Sequence, residues 1–268
     1  MAEDRVVARL RSAGCVFAED EAALLIKETA GPDDLERAIR RRVAGEPLEQ
    51  ILGWAGFCGL RLAVAPGVFV PRTRTGLLVA EAVRRCSPGD IVVDLCSGIG
   101  AVAAAVCARV GGLQAYATEL DPIAADCARR NLGDRAGVLE GDLFCPLPDD
   151  LRGRVRVITA NAPYVPTAEI AFMPTEARDH EDPVTLDGGP DGLDVHRRII
   201  AEAPSWLASG GALLIETGRE QVETDLVLLA AAGLAPSVIT DDDIDGTVVF
   251  GRNAKNVVAD RGSVPTEA

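Results

Sequence analysis

The sequence predicts an α/β protein in which a mostly parallel sheet follows a small helical domain. Three observations support this prediction. From residue 90 onwards, apolar runs typical of strands alternate with stretches of helical spacing, and this order is typical of parallel strands covered by helices on both faces. Residues 1–53 show helical spacing alone. A chain of 268 residues is long enough for one large domain and one small domain.

Helices are predicted throughout the first 53 residues because apolar side chains recur there at helical spacing. The three groups are Val6, Val7 and Leu10, then Ala22, Leu25 and Ile26, then Leu35, Ile39 and Val43. Gly14 and the Gly31-Pro32 pair separate the groups, as expected for residues that interrupt helices. We therefore predict a helical domain at 1–54.

The stretch 56-GFCGLRLAVAPGVFVPR-72 alternates in polarity and carries Pro66-Gly67 near its centre. This pattern predicts a β-hairpin that links two domains. We assign the hairpin linker to 55–74 and the α/β domain to 75–253. Residues 254–268 are polar, and we expect a disordered tail there.

Strands and helices alternate in the predicted α/β domain. Seven strands are predicted at DIVVDL, LQAYATE, 137–139, RVRVITA, GALLIET, LAPSVIT and GTVVFGR, and helices at 75–85, 101–110, 122–132, 192–207 and 219–232. Pro122 suits the first turn of its helix, where its missing N–H leaves no bond unmade. The last two strands are expected to pair with each other.

Composition excludes several classes of function. The net charge is -14, which disfavours binding to bare nucleic acid, because that binding depends on clustered Lys and Arg. The seven cysteines form no CxxC pair and there are two histidines, so neither a metal site nor a disulfide framework is predicted. No apolar run reaches 18 residues and the N-terminus does not resemble a signal peptide, so we expect a cytoplasmic protein without a membrane span.

A glycine-rich turn follows the first predicted strand of the sheet, in 93-VDLCSGIGAVAAAV-106. Glycine lets the backbone approach a ligand closely, and the N-terminus of the next helix offers free N–H groups. Such a turn suits a dinucleotide or a nucleoside, or it serves only as a tight connection. The candidate cofactor contacts are Asp94, Cys96, Ser97, Gly98, Ile99 and Gly100.

Two acidic residues follow the next two strands. Glu119 ends its strand about twenty residues after the glycine loop, where a carboxylate can accept hydrogen bonds from two ribose hydroxyls. The nearby Asp121 precedes Pro122 and is predicted to cap a helix. Asp142 follows the third strand and could meet an adenine amino group, with Leu143 and Phe144 against the base; the alternative for Asp142 is a solvated loop position.

The stretch 161-NAPY-164 follows the fourth predicted strand, at the edge where open α/β sheets bind ligands. The Asn161 side chain and the Ala162 carbonyl can both accept hydrogen bonds from one NH₂ group. Pro163 biases Ala162 towards an extended conformation, and Tyr164 can lie flat against a planar group. We call these four residues the amide clamp and predict that they bind a planar amino or amide group.

This layout resembles the class I S-adenosylmethionine-dependent methyltransferases, which have a Rossmann-like seven-stranded sheet. The NAPY stretch is similar to the Asn-Pro-Pro-Tyr motif of enzymes that methylate planar nitrogens. Within that group the chain resembles the HemK-like protein-glutamine N5-methyltransferases over about residues 1–252. The resemblance rests on 45-GEPLEQILGWAGFCGLRL-62, 70-VPRTRT-75, the glycine loop, 161-NAPYVPTAEI-170 and 187-DGGPDGLDVHRRII-200.

The resemblance implies S-adenosylmethionine as cofactor and a glutamine side chain of a peptide chain release factor, or of another translation-related protein, as acceptor. It implies a substrate-docking role for residues 1–54. We also expect a monomer, and the net charge and the lack of a long apolar run predict that it contacts neither nucleic acid nor membrane. Two departures from the family pattern stand out. Ala162 replaces a proline, and Arg74 and Gly76 replace two acids in 71-PRTRTG-76, near the expected entrance of the active site. The second departure bears on the identity of the substrate.

Three other functions remain open at this stage. The amide clamp could bind the exocyclic amine of a flipped adenine, as in nucleic-acid amino-methyltransferases. The chain could also bind S-adenosylmethionine without catalysis and act as an interaction protein. A Rossmann oxidoreductase is the third alternative, but CSGIG lacks the last glycine of the G-x-G-x-x-G fingerprint.

Overall fold

A computed structural model describes residues 2–254. The predicted disordered tail therefore lies outside the described residues, apart from Ala254. Within 2–254, no helix is both long and apolar enough to cross a membrane.

Four helices form the N-terminal part of the molecule: α1 Ala2–Ser12, α2 Ala18–Glu28, α3 Pro32–Val43 and α4 Leu48–Leu52. Their buried faces meet in a small core of their own, which contains Val6, Leu10, Leu25 and Ile39. Ile26 and Val43 were predicted to share this apolar spacing, but both are exposed. Helical spacing identifies an amphipathic helix better than it identifies each buried position.

A hairpin follows, but it is shorter than predicted. Strands β1 Trp54–Phe57 and β2 Leu60–Ala63 pair in antiparallel fashion. The turn between them is Cys58-Gly59, and both residues have positive φ, 51° and 83°, as a type I′ turn requires. Pro66-Gly67 therefore lies beyond the hairpin, where Gly67 forms an isolated bridge with Glu181. The prediction missed the turn because a cysteine with positive φ is uncommon.

Seven strands form the main sheet in the order β5-β4-β3-β6-β7-β9-β8. They are β3 Ile91–Leu95, β4 Gln114–Glu119, β5 Ala136–Glu140, β6 Val155–Ala160, β7 Leu207–Glu216, β8 Leu234–Asp241 and β9 Gly246–Asn253. The first five strands in the sheet order are parallel, and β9 is antiparallel to both of its neighbours. The mostly parallel seven-stranded sheet and the terminal strand pair are confirmed.

Helices cover the two faces of this sheet. They are α5 Gly76–Val83, α6 Ala101–Arg109, α7 Pro122–Leu132, α9 Asp194–Trp206 and α10 Val222–Ala231. The short helix α8 Thr175–His180 lies between β6 and α9 in the chain. Helices α5, α6 and α7 contribute to the core on one face, and α9 and α10 to the core on the other. Strand β3 is buried along its whole length, and Val92 and Val93 belong to opposite cores because side chains alternate along a strand.

The parallel strands are in register, so their carboxyl ends meet at one edge of the sheet. Leu95 pairs with Thr118 on one side and with Ala160 on the other, and Glu119 pairs with Glu140. The loops after β3, β4, β5 and β6 therefore lie side by side. These are the loops that carry the predicted site residues.

Candidate active site

The loops at this edge surround a cavity of about 260 Å³, which we call the cleft. Nine residues that were predicted to belong to the site line it: Cys96, Gly98, Glu119, Asp142, Leu143, Asn161, Ala162, Pro163 and Tyr164. They come from four separate loops, and the sheet topology brings them together.

Four predicted cofactor contacts lie behind the cleft wall, and Asp94 is the most informative of them. Its carboxylate is fully buried and accepts hydrogen bonds from Thr159 Oγ1 at 2.7 Å and from the Ala103 N–H at 3.1 Å. Burial raises the pKa of Asp94 to about 7. Asp94 therefore joins β3 to β6 and to the first turn of α6, whereas the sequence predicts that it contacts the cofactor.

The other three residues behind the wall are Ser97, Ile99 and Gly100. Ile99 is buried in the core, and Gly100 has a φ of 74°. A side chain at position 100 would bring its Cβ within 2.9 Å of Leu132 and 3.2 Å of Ala128. Gly100 thus permits helix α7 to pack against the start of α6, and these positions shape the loop without reaching the cleft.

Two residues that line the cleft have unusual backbone conformations. Cys96 and Leu143 have φ values of 50° and 48°, in the left-handed region that residues with a Cβ rarely adopt. Such strain is often found at functional sites, where the surrounding structure holds it. Leu143 lines the cleft as predicted, but Phe144 turns into the core and stacks on Trp206 at 5.6 Å.

Glu119 lies at the end of β4 beside the glycine loop. Its two carboxylate oxygens accept hydrogen bonds from the backbone N–H groups of Gly98, at 2.6 Å, and of Asp121, at 2.9 Å. Burial raises the pKa of Glu119, and these backbone hydrogen bonds oppose that effect. A carboxylate has about four acceptor positions, so the bound N–H groups leave capacity for ligand hydroxyls. Asp121 caps α7 as predicted, accepting from the N–H groups of Ile123 and Ala124.

An ion pair closes the side of the cleft near β5. Arg198 from α9 binds the carboxylate of Asp142, and both side chains line the cleft. Asp142 is therefore not a free loop carboxylate. Its ion pair with Arg198 leaves only part of the carboxylate for an adenine amino group. Arg198 was not predicted from the sequence, because helical spacing in 187-DGGPDGLDVHRRII-200 does not show which helix face meets the sheet edge.

The amide clamp follows β6. The Asn161 side-chain amide donates to Thr75 Oγ1 at 3.3 Å, which fixes the orientation of the side chain. Among the residues that the structure describes, no donor bonds to the Asn161 side-chain oxygen or to the Ala162 carbonyl. Two acceptors thus remain for a ligand at the cleft wall.

Hydrogen bonds fix both the side chain and the backbone of Tyr164, the last residue of the clamp. Its hydroxyl donates to Glu216 Oε1 at 3.3 Å, and burial, reinforced by the charge of Glu216, raises the pKa of Tyr164 to about 12. Its backbone carbonyl accepts from Gln221 Nε2 at 2.8 Å. The ring is therefore neutral at physiological pH and fixed in position.

The glycines of 187-DGGPDGLD-194 explain how this segment can pack so closely against Tyr164. Gly192 has a φ of 77°, and a Cβ there would lie 2.3 Å from the Tyr164 carbonyl oxygen and 2.3 Å from Gln221 Nε2. The Gly188 N–H donates to the carbonyl of Val165 at 2.9 Å. The segment thus packs against the backbone of the clamp and of the residue that follows it.

Two arginines from the segment before α5 also line the cleft. Arg72 pairs with the buried Glu181 at 2.7 Å, and Arg74 lies 3.5 Å from the buried Glu216. Arg74 is one of the two departures noted in the sequence. The other, Gly76, begins α5 and does not line the cleft.

A release factor glutamine methyltransferase of Geobacter sulfurreducens is 39% identical over 207 residues, which cover 76% of this chain and 72% of the relative. A 4-amino-L-phenylalanine/4-methylamino-L-phenylalanine methyltransferase of Streptomyces pristinaespiralis is 37% identical, over 73% of this chain and 69% of the relative.

The chain matches no family model. Among solved structures, a methyltransferase from Pyrococcus furiosus is similar with a TM-score of 0.55 and 16% identity, over 81% of this chain and 98% of that chain. At this level of identity the similarity shows the fold alone.

Proposed function

The chain belongs to the family of the release factor glutamine methyltransferases, and from this premise we propose that it methylates N5 of a glutamine side chain in a peptide chain release factor. The observation that carries the proposal is a pair of acceptors at the wall of the cleft, Asn161 Oδ1 and the Ala162 carbonyl, to which no donor within residues 2–254 is bonded. Two acceptors on adjacent residues match the two hydrogens of a primary amide.

The other half of the cleft fits S-adenosylmethionine, the methyl donor of this family. Gly98 faces open space, since a Cβ placed on it would meet no atom within 4 Å. Thr118 lines the cleft, and its buried Oγ1 has no hydrogen-bond partner within residues 2–254. We assign the ribose hydroxyls to Glu119. When bound, the cofactor supplies an electrophilic methyl group on a sulfonium sulfur.

The protein's main contribution to the reaction is positioning. An amide nitrogen is a poor nucleophile because its lone pair is delocalised, and correct placement of two reactants can lower a barrier by about 7–11 kcal/mol. Asn161 and the Ala162 carbonyl hold the two amide hydrogens, and Tyr164 packs against the amide plane and excludes water. As the N–C bond forms, the nitrogen gains positive charge, which the two oxygen acceptors stabilise.

The proton leaves the nitrogen after the methyl group has been transferred. None of the described residues that line the cleft is a histidine. A methylated amide that carries an extra proton is strongly acidic and loses it to water readily. The mechanism therefore requires no general base in the cleft.

The N-terminal helices are proposed to dock the protein that carries the glutamine. Two contacts join them to α8, which follows the clamp loop: Arg42 pairs with Glu176 at 2.6 Å, and Gln50 Nε2 donates to the His180 carbonyl at 3.1 Å. A protein bound to these helices would lie beside the cleft. We further propose that the enzyme acts in the cytoplasm, as a monomer and without nucleic acid.

Methylation of a purified release factor tests the proposed function. The chain is incubated with the release factor and S-adenosylmethionine labelled in its methyl group, and the products are mapped by mass spectrometry. One added methyl group on one glutamine is expected, and the Asn161→Ala variant should give almost none. Absence of label on any glutamine of the release factor would refute the assigned acceptor.

The relative from Streptomyces pristinaespiralis supplies the competing acceptor for the same experiment, since its name describes methylation of an aromatic amine. An NH₂ group on an aromatic ring is planar and offers the clamp the same two hydrogens. Parallel reactions with 4-amino-L-phenylalanine and with an adenine-containing oligonucleotide test these alternatives. Transfer to either one, with the release factor unlabelled, would reassign the substrate class.

A further inference from the structure

Glu216 is a buried carboxylate that neither the sequence analysis nor the proposed mechanism uses. It ends β7, the strand next to the one that leads into the amide clamp, and its side chain is only 2% exposed. A carboxylate in the interior is costly unless charged and polar groups surround it. Its neighbours therefore indicate what it does.

Four residues act on this carboxylate: Arg72, which also pairs with Glu181, and three residues on the acceptor side of the site. Tyr164 donates its hydroxyl proton to Glu216 Oε1 at 3.3 Å. Arg74 lies 3.5 Å from the same oxygen, and its buried Nε has no hydrogen-bond partner within residues 2–254. The side chain of Thr75 also faces Glu216 and lowers its pKa, while burial, the larger effect, raises it.

Thr75 lies between the Glu216 carboxylate and Asn161, the first residue of the amide clamp. Its hydroxyl oxygen already accepts from the Asn161 side-chain amide, so its own proton is free to turn to an acceptor. Glu216 Oε2 is buried and has no hydrogen-bond partner within the part of the chain that the structure describes, so it can take that proton. Such a bond would make Asn161 and Tyr164 depend on the same buried side chain.

We propose that Glu216 is a positioning residue for the acceptor amide: it aligns Asn161 through Thr75, aligns Tyr164 directly, and neutralises Arg74. The proposal rests on the proposed function for the identity of the acceptor. Neutralising Arg74 matters because the acceptor nitrogen becomes positive during the reaction, and an unpaired guanidinium in the same cleft would oppose that charge.

The Glu216→Gln variant tests the proposal, since it removes the charge and keeps the shape. We expect kcat for release-factor methylation to fall by about 10–100-fold, because misplacement of about 1 Å in a reacting geometry can cost about 10²-fold. The acceptor KM and the Kd for S-adenosylmethionine should stay within about threefold of the wild type. A kcat within threefold of the wild type would overturn the proposal.

Glu181→Gln is the matched control. Glu181 is also buried and also pairs with an arginine that lines the cleft, Arg72 at 2.7 Å, but it accepts its other bond from the Val70 N–H. It touches no residue of the amide clamp. We expect its kcat to stay close to that of the wild type, and an equal loss in both variants would show that removal of any buried charge here is enough.

The double variant Arg74→Gln, Glu216→Gln separates the charge effect from a packing defect. Removing Arg74 as well deletes the positive charge that Glu216→Gln leaves unpaired, so the double variant should be several-fold faster than Glu216→Gln alone. A double variant that is as slow as Glu216→Gln, or slower, would overturn the neutralising role. If Glu216→Gln does not fold, Thr75→Val interrupts the link to Asn161 without removing a charge and should show the same loss of kcat.

A measurement that needs no methyl acceptor tests this proposal separately from the proposed function. The side-chain NH₂ resonances of Asn161, identified in ¹H–¹⁵N spectra by their loss in Asn161→Ala, report on the bond to Thr75. Glu216→Gln should shift them and Glu181→Gln should not. Unshifted resonances in Glu216→Gln would overturn the alignment of Asn161, even if the release factor proves not to be the substrate.

Discussion

Asn161 donates its side-chain N–H to the hydroxyl of Thr75 at 3.3 Å, and this single bond decides which end of the amide is left for a ligand. The nitrogen is bound to the protein, so the oxygen is the atom available to the substrate. An amide that could rotate would present a donor as often as an acceptor. The contact therefore makes residue 161 selective for groups that carry N–H.

The first prediction follows from this contact. Asn161→Ala should lower single-turnover methyl transfer by about 10²–10³-fold, the usual cost of losing one positioned polar contact in a catalytic site. Cofactor affinity and folding should change little, because the side chain is half-buried at the cleft wall and lies outside the core. Ala162→Pro is the control, since it keeps the acceptor carbonyl. If Asn161→Ala transfers the methyl group at nearly the wild-type rate while Ala162→Pro is inactive, the proposal that these two acceptors bind the amide is refuted.

The second prediction concerns Glu119 and the cofactor. Glu119→Ala should weaken binding of S-adenosylmethionine by about 1.5–3 kcal/mol, the range for hydrogen bonds to a charged group, as measured by titration calorimetry. Glu140→Ala is a matched control: it lies opposite Glu119 on the adjacent strand β5, but pairs with Arg129 at 2.6 Å and does not line the cleft. Equal affinities for the two variants would show that Glu119 does not bind the ribose.

Much of the fold and most of the residues of the candidate site could be predicted, because both depend on local signals. Strand and helix patterns predicted the sheet, and residues at strand ends such as Glu119 and Asn161 were correctly expected at one edge. Local signals do not show on which side of a loop a residue points. Asp94 was expected in the cleft, but it turns inward to Thr159 because β3 is buried on both faces.

Two residues around the site could not be found in this way. Arg198 belongs to a helix whose orientation depends on tertiary packing, and Glu216 ends a strand without any motif around it. Arg74 was singled out only through the family resemblance, which placed its segment near the entrance of the active site. The hairpin shows the same limit, since the Pro66-Gly67 signal was stronger than that of the real turn at Cys58-Gly59. Tertiary packing, which local sequence patterns do not show, determines where these side chains and this turn lie.

The third prediction concerns Gly192. Gly192→Ala places a methyl group against the Tyr164 carbonyl and the Gln221 amide, so it should lower both the free energy of unfolding and the rate of methylation. Gly153→Ala is the control, because Gly153 has a similar φ of 70° but open space around it. Urea denaturation should show a loss of more than about 1 kcal/mol beyond that of the control. Identical losses would show that only backbone strain matters at position 192.

The last prediction concerns the pH dependence of stability. Burial raises the pKa of Asp94 from 3.8 to about 7, so over that pH range the folded protein keeps a proton that the unfolded chain has released. The native state then binds more protons than the unfolded state, and its stability falls as pH rises through this range. Asp94→Asn cannot ionise, but it can keep both contacts, with its Oδ1 accepting from the Ala103 N–H and its Nδ2 donating to the Thr159 hydroxyl. Its free energy of unfolding, measured by urea denaturation at pH 5 and pH 8, should therefore rise relative to that of the wild type as pH increases. The other titrating groups are common to both proteins, so their contributions cancel in the comparison. A constant difference between the two proteins across this range would mean that the Asp94 carboxylate is already ionised inside the folded protein at pH 5.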